Sequence, residues 1–590
     1  MTFQAPARDL LFALTEMAGV ERLMDLEAFA GLDRETMRAV LEAAAALADE
    51  VLAPLDAPGD RAGATYADGR VTAAPGFAAA YKAFAQGGWG GLAADPAYGG
   101  QGLPRALETA VAEMIDAANL AFSLCPMLTQ GAIEAIHAHG TARQKALYLP
   151  RMITGEWTGA MNLTEPQSGS DLSTLTTRAE PDGQGGWRLY GQKIFITWGD
   201  HDCADNIIHL VLARLPDAPP GSRGVSLFLA PKVLVGEDGG LGERNALAPG
   251  GIEHKLGIHA SPTCVMLYDG ARAELVGQPH HGLAHMFTMM NAARLNVGGQ
   301  GVGVAERAYQ RALAYALERR QGRSIWTGEA SAPIFDHPDV RLMLATMKAK
   351  TEAARGICLT TAVCADLARH AADAAEREAA QLRMELLTPI AKAWSTDVGL
   401  EVASLGLQVH GGMGYIEETG AAQHYRDARI APIYEGTNGV QAIDLVGRKL
   451  AMADGEGARA LIRDMRTAAG VLRDDADPRA QAIGVRLAGA VNAAEAATKW
   501  LIERRGTADV LAGASAYLTL MGETVGGWML AKGALAALAG RAGEATFAQG
   551  RVGLAAHYAD AVLAQAPGRL AAVTAGAATL EALSAAVLAG

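Results

Sequence analysis

The stretch RDARIAPIYEGTNGVQAIDLVGRKL, residues 426–450, sets one carboxylate, Glu435, between Tyr434 and Gly436 where one helical pattern stops and another starts. Gly436 lets the backbone come close to a ligand. Thr437 and Asn438 are cap residues for the helix that follows. A carboxyl in a partly apolar setting is expected to titrate high and to act as a base near neutral pH. A Glu before a Gly is also commonplace in loops, so the reading depends on what surrounds it.

Three further segments stand out upstream. QVHGGMGY, residues 408–415, puts the paired glycines Gly411 and Gly412 beside a long helical run, again a place for close backbone approach. His410 reads there as a satisfied loop histidine. FITWG, residues 195–199, ends a strand, and its Phe195 and Thr197 offer an aromatic and a hydroxyl to a flat ring. A β-core with a polar exit is the plainer account of it. MNLTEPQSGSD, residues 161–171, starts extended and becomes a loop of small residues whose N–H and hydroxyl groups can cradle a pyrophosphate. An ordinary turn around Pro166 is the alternative.

The chain has 590 residues, 50% hydrophobic and 19% charged, enough for several structural units around a large core. Its net charge of -13 gives no general attraction to nucleic acid or to an anionic membrane. Cys125, Cys203, Cys264, Cys358 and Cys364 are odd in number and lack CxxC spacing, which points to free thiols in a reducing compartment. The N-terminus lacks a signal-peptide core, and no charge-free apolar run reaches the roughly twenty residues of a membrane span, so a cytoplasmic protein is expected.

Residues 1–158 read as an N-terminal helical domain, with Pro54 and Pro58 ending the helix of RETMRAVLEAAAALADEVLAPL. Residues 159–281 read as a β-domain, with strands at 187–190, 193–197, 206–213 and 224–229 and an exposed excursion at 235–251. Helix returns over 282–450. An Ala-rich extension, 451–590, remains helical, and Leu518, Met521, Val525, Trp528 and Met529 share a face there. Segregated blocks of this kind predict an α+β multidomain chain with separate α and β modules.

Taken together and in this order, MNLTEPQSGSD, KIFITWGD, the Arg-Arg-Gln run at Arg319–Gln321, LQVHGGMGY and RDARIAPIYEGTNG resemble the acyl-CoA dehydrogenases over roughly residues 10–450. The resemblance implies an N-terminal helical domain, a central β-domain and a C-terminal four-helix domain, with FAD between the last two. It places Met161, Leu163, Thr164, Gly169, Ser170, Phe195, Ile196 and Thr197 along the flavin, with Thr164 and Thr197 bonding its ring. It gives Arg319, Gln408, His410, Gly411 and Gly412 the adenine-dinucleotide portion, partly across a dimer interface. Thr437 and Asn438 would also contact FAD. Ser170, Asn291, Arg294 and Gly436 fall to acyl-CoA, and Glu435 to the catalytic base. An electron-transfer flavoprotein is the implied electron acceptor, a homodimer the implied assembly, and no metal is called for.

The extension resembles that of the longer family members with an additional C-terminal helical domain. That subgroup implies 3-methylthiopropanoyl-CoA as substrate, as in dimethylsulfoniopropionate breakdown. Broad medium- or long-chain fatty acyl-CoA dehydrogenation and an acyl-CoA oxidase are the alternatives. Three departures stand out. Phe195 replaces the family's usual Trp, Asp336-His337-Pro338-Asp339 replaces a Gln-containing adenine segment, and Asn291 stands where short-chain members often carry Asp.

Overall fold

The computed structural model describes residues 3–590. Helices α1 (Arg105–Ala118) and α2 (Leu120–His139) precede seven strands that share one sheet. These are β1 (Trp157–Asn162), β2 (Arg178–Pro181), β3 (Trp187–Thr197), β4 (Asn206–Arg214), β5 (Val225–Pro231), β6 (Leu247–Ile252) and β7 (Thr263–Val276). Helices α3 (Gly282–Glu318), α4 (Pro338–His370), α5 (Ala374–His410), α6 (Ala421–Ala428) and α7 (Asn438–Gly447) follow. The extension adds α8 (Glu456–Arg473), α9 (Pro478–Glu503), α10 (Ala514–Leu538) and α11 (Ala545–Ala561). Among the described residues no helix is long and apolar enough to cross a membrane.

The chain forms two compact units that cut across this order. One takes Ala46–Leu103 and Ala118–Asn296. The other gathers the segment up to Ala45, Pro104–Ala117 and everything from Val297.

In the first unit the strands run β6-β7-β3-β2-β4-β1, and β5 pairs with both β7 and β4 so that the pairings close on themselves. Closure leaves few open edges. β4 is buried almost throughout, the pattern of a strand covered on both faces. Ile207, Val211, Phe228, Cys264, Met266 and Tyr268 belong to the sheet's core. α2 packs on β1 at Gly159, where an added Cβ would come 2.5 Å from that of Ala132.

Several expectations change here. The two short runs at 187–190 and 193–197 are one strand, β3, which passes through Gly191 because a side chain there would meet Thr177 Oγ1 at 2.6 Å. The supposed excursion at 235–251 supplies β6 and a hairpin strand, Leu241–Arg244. Pro54 and Pro58 do not end their helix. The chain widens into a π-helical turn over Ala48–Leu52 and continues as Ala53–Ala62. Pro54 falls in the first turn of that continuation, where its missing N–H is not needed.

In the second unit α4 and α5 pack along each other, and α10 lies against them. α10 is buried on all sides, including Tyr517, Leu520, Met521, Trp528 and Met529, so it has no single apolar face. A helix apolar all round belongs in a core. Buried charges join the three segments of this unit. Arg355 donates to Glu113 at 2.8 Å, Glu352 at 2.7 Å and Glu306 at 2.9 Å. Lys348 reaches Asp9 at 2.7 Å, and Arg551 of the extension reaches the same Asp9 at 3.0 Å and Glu352 at 3.1 Å. Breaking such a pair strands a buried charge, so each partner holds the others in place.

Candidate active site

Three candidate groups lie in the unit that contains the sheet. The first is the loop after β1. Its organiser is Glu165, 2% exposed, paired at 2.9 Å with the fully buried Lys193 of β3. Lys193 also donates to the Leu163 carbonyl at 2.9 Å. Glu165 further accepts from the N–H of Thr176 at 2.7 Å and of Thr177 at 3.0 Å, and from Gln167 at 2.7 Å. Burial alone would push this carboxyl up. The Lys193 ammonium and these donors prevail and hold it at about 2. The loop carrying Thr164, Gly169 and Ser170 thus hangs from a charged hub.

The second group is the end of β3. Ile196 pairs with Cys264 and Lys193 with Met266, so Ile194 and Phe195 together oppose Val265 in a bulge. Phe195 adopts φ +59° and is 59% exposed. A non-glycine residue in that region is uncommon and persists only where its surroundings hold it. The Ile194 N–H donates to the Thr164 carbonyl at 2.9 Å, which ties the strand to the hub loop. Thr197 closes β3 opposite Thr263, and Ile196 turns into the core.

The third group is on α3. Arg294, 5% exposed, donates to Asn291 Oδ1 at 3.3 Å one turn away, and its guanidinium lies 5.9 Å from the Phe287 ring.

The remaining candidates belong to the other unit. α5 ends at His410, whose Nδ1 donates to the Gly406 carbonyl at 2.7 Å and whose ring stacks on Tyr315 at 4.4 Å. This is an inward, capping role, and burial lowers its pKa. Gly411 follows with φ 60° and ψ -140°, a conformation open in practice only to glycine. Gln408, Gly412 and Arg319 are exposed. The run after Gly412 also shows apolar side chains, with Tyr415 90% and Met413 49% exposed.

Glu435 has φ +55° and Gly436 has φ +84°, two left-handed residues in succession. They form the sharp turn between Pro432 and α7. The Asn438 N–H returns to the Pro432 carbonyl at 3.0 Å, and Thr437 Oγ1 caps α7 by accepting from the Val440 N–H at 3.3 Å. Buried Gln441 donates to the Glu435 carbonyl at 3.4 Å, and the Tyr434 hydroxyl bonds Gln300. The Asn438 side chain is engaged inside the protein, with Lys392, Thr396, Ala393 and Asp397.

The structure therefore gathers Glu435–Asn438 into one braced turn, and Thr164 and Ile194 into another. Sequence reasoning missed Glu165, Lys193 and Lys392. The only signal was a lysine inside an apolar run, in QKIFIT and PIAKAW.

Four family models match the chain in succession. Acyl-CoA dehydrogenase N-terminal domain covers 34–156 and middle domain 160–271. Acyl-CoA dehydrogenase C-terminal domain covers 280–451, and acetyl-CoA dehydrogenase C-terminal like covers 461–584. The 3-methylmercaptopropionyl-CoA dehydrogenase of Ruegeria pomeroyi is 45% identical over 96% of this chain and 97% of its own. The chain belongs to the acyl-CoA dehydrogenase family. It is an FAD-dependent oxidoreductase with the family's fold plus an extra C-terminal helical domain. The enzyme is also 32% identical to the broad-specificity linear acyl-CoA dehydrogenase FadE5 of Mycobacterium tuberculosis, over 94% of this chain and 95% of that one. Its fold matches the acyl-CoA dehydrogenase of Bacillus anthracis complexed with FAD with a TM-score of 0.73, at 20% identity, covering 97% and 92% of the two chains.

At Gly169 and at Gly412 the backbone is not left-handed and an added Cβ would meet nothing within 4 Å, so each leaves its backbone open to a group from outside the chain.

Proposed function

We propose that this dehydrogenase oxidises 3-methylmercaptopropionyl-CoA (3-methylthiopropanoyl-CoA) to 3-methylthioacryloyl-CoA with Glu435 as its base. The observation that carries the substrate is the 45% identity to the Ruegeria pomeroyi enzyme over 97% of that chain, extension included. The base rests on the family resemblance and on the braced turn that holds Glu435 left-handed.

In this reading Glu435 removes the α-proton of the thioester. Its own backbone N–H donates to the thioester oxygen, where negative charge develops. By the family resemblance Ser170, Asn291, Arg294 and Gly436 would contact the acyl-CoA, and holding the thioester against the base would supply orientation. Bound FAD supplies the acceptor for the β-hydride. By the family resemblance the 161–170 loop and Phe195–Thr197 would line its ring, and Arg319, residues 408–412, Thr437 and Asn438 would hold the rest. Electrons pass on to an electron-transfer flavoprotein. A homodimer covers the exposed Met413–Ile416 run.

The second reading, broad-specificity fatty acyl-CoA dehydrogenation, is favoured by the likeness to the Mycobacterium tuberculosis enzyme. Turnover of methylthiopropanoyl-, butyryl- and palmitoyl-CoA with an artificial acceptor separates the two. A kcat/KM highest for the methylthio substrate supports the first, and a flat or long-chain profile replaces it. Hydrogen peroxide formed without an acceptor would make the enzyme an oxidase.

A further inference from the structure

Lys392 lies inside α5 and is fully buried, with Ile390, Ala391, Ala393 and Trp394 buried around it. Its ammonium donates to the Ala431 carbonyl at 3.0 Å and to Asn438 Oδ1 at 2.9 Å. Those two acceptors flank the turn that carries Glu435. Asn438 is locked in turn. Its Nδ2 donates to the Ala393 carbonyl at 3.0 Å, to Thr396 Oγ1 at 3.0 Å and to Asp397 Oδ1 at 2.8 Å. The six residues Lys392–Asp397 of α5 therefore grip both ends of the loop.

We propose that Lys392 is a positioning residue that sets the place of the Glu435 carboxylate. The inference rests on Glu435 being the base. A non-glycine residue in the left-handed region costs about 1–2 kcal/mol and persists only where its surroundings over-determine it. The Lys392 clamp supplies that constraint at Ala431 and Asn438, while the Asn438 N–H to Pro432 bond closes the turn between them. Stability alone does not explain a lysine here. An apolar side chain of similar length would fill the same space without desolvating an ammonium. What it could not do is bond two acceptors on opposite sides of a strained turn.

The test uses purified holoenzyme and three variants, Lys392→Met, Glu435→Gln and the double variant, followed by anaerobic flavin bleaching with the best thioester. Lys392→Met is expected to retain its yellow FAD and its dissociation constant for the enoyl-CoA product. Its limiting bleaching rate is expected to fall roughly 10- to 100-fold, the scale of a displacement near 1 Å. In the Glu435→Gln background the same change is expected to alter the residual rate less than about twofold, because the group it positions is gone. An unchanged rate in Lys392→Met, or an equal slowing in both backgrounds, overturns the proposal. Bleaching by Glu435→Gln at the wild-type rate overturns the assignment of the base instead. Should Lys392→Met not fold, Thr396→Val decides. It removes one hydroxyl from the Asn438 clamp, and slowed bleaching with FAD retained supports the proposal, whereas an unchanged rate overturns it.

Discussion

Lys193 and Lys392 solve the same problem in the two units. Each ammonium is out of water, and each bonds a backbone carbonyl of an irregular segment together with one side chain that braces it. Replacing Lys193 by Met leaves the Glu165 carboxylate buried without its cation, at an expected cost of about 3–5 kcal/mol. Urea unfolding checks the cost, and the visible spectrum checks the accompanying loss of FAD. Glu435→Gln should keep FAD and slow anaerobic bleaching by roughly 10²–10⁴-fold, the usual contribution of a positioned base. Glu435, Gly436 and Thr437 could be singled out from sequence because a carboxylate, a glycine and a cap stand side by side. The lysines could not, since Lys193 meets partners 28 and 30 positions away and Lys392 meets partners 39 and 46 away. Local pattern carries no record of such pairings.

Among the elements, α10 is fitted to α5 through its glycines. An added Cβ at Gly522 would come 2.3 Å from Trp394 Cγ, and one at Gly526 would come 3.0 Å from the same ring. Gly522→Ala should therefore cost about 1–3 kcal/mol by overpacking. Gly550→Ala, on an exposed position of α11 with open space around it, should gain roughly 0.5–1 kcal/mol from helix propensity alone. Melting temperatures of the two variants should move in opposite directions. Burial pushes His209 of β4 and His201, in the segment just before that strand, down to about 3. Both are neutral in the folded protein, and the His201 Nδ1 accepts from the Cys203 N–H at 3.1 Å. An unfolded chain protonates each histidine below about pH 6.5, which the folded protein resists. The contribution of the two neutral histidines to stability is then full above that pH and is lost progressively toward about 3. Urea midpoints across this range check the slope, and His209→Gln should flatten it. The longest strand, β7, shows why element reading falls short. Its residues, Thr263–Val276, are not among the strands expected from sequence. The strand runs on through an irregularity between Asp269 and Ala271, with Gly270 at φ +82°.

For the whole molecule, the order helix, sheet, helix, extension was legible, because the apolar period changes on entering and leaving the sheet and the helical extension is marked by its alanine content. The assignment of segments to units was not, since nothing local says that Asp9 and Arg551 share a carboxylate–guanidinium contact 542 positions apart. A chain stopped after Gly455 would bare the sides of α4 and α5 that receive α10, at Gly356 and Trp394. It is expected to aggregate, as light scattering on expression would show. The interleaving also dictates an order of events on the ribosome. Ala46–Asn296 contains a complete sheet with its covering helices, apart from Pro104–Ala117, and can close while later residues are still being made. The first helices cannot, for their partners in α4 and α11 are synthesised hundreds of residues afterwards. The amino-terminal segment therefore spends most of translation without its partners, and the nascent chain must be kept from premature association until its last helices emerge.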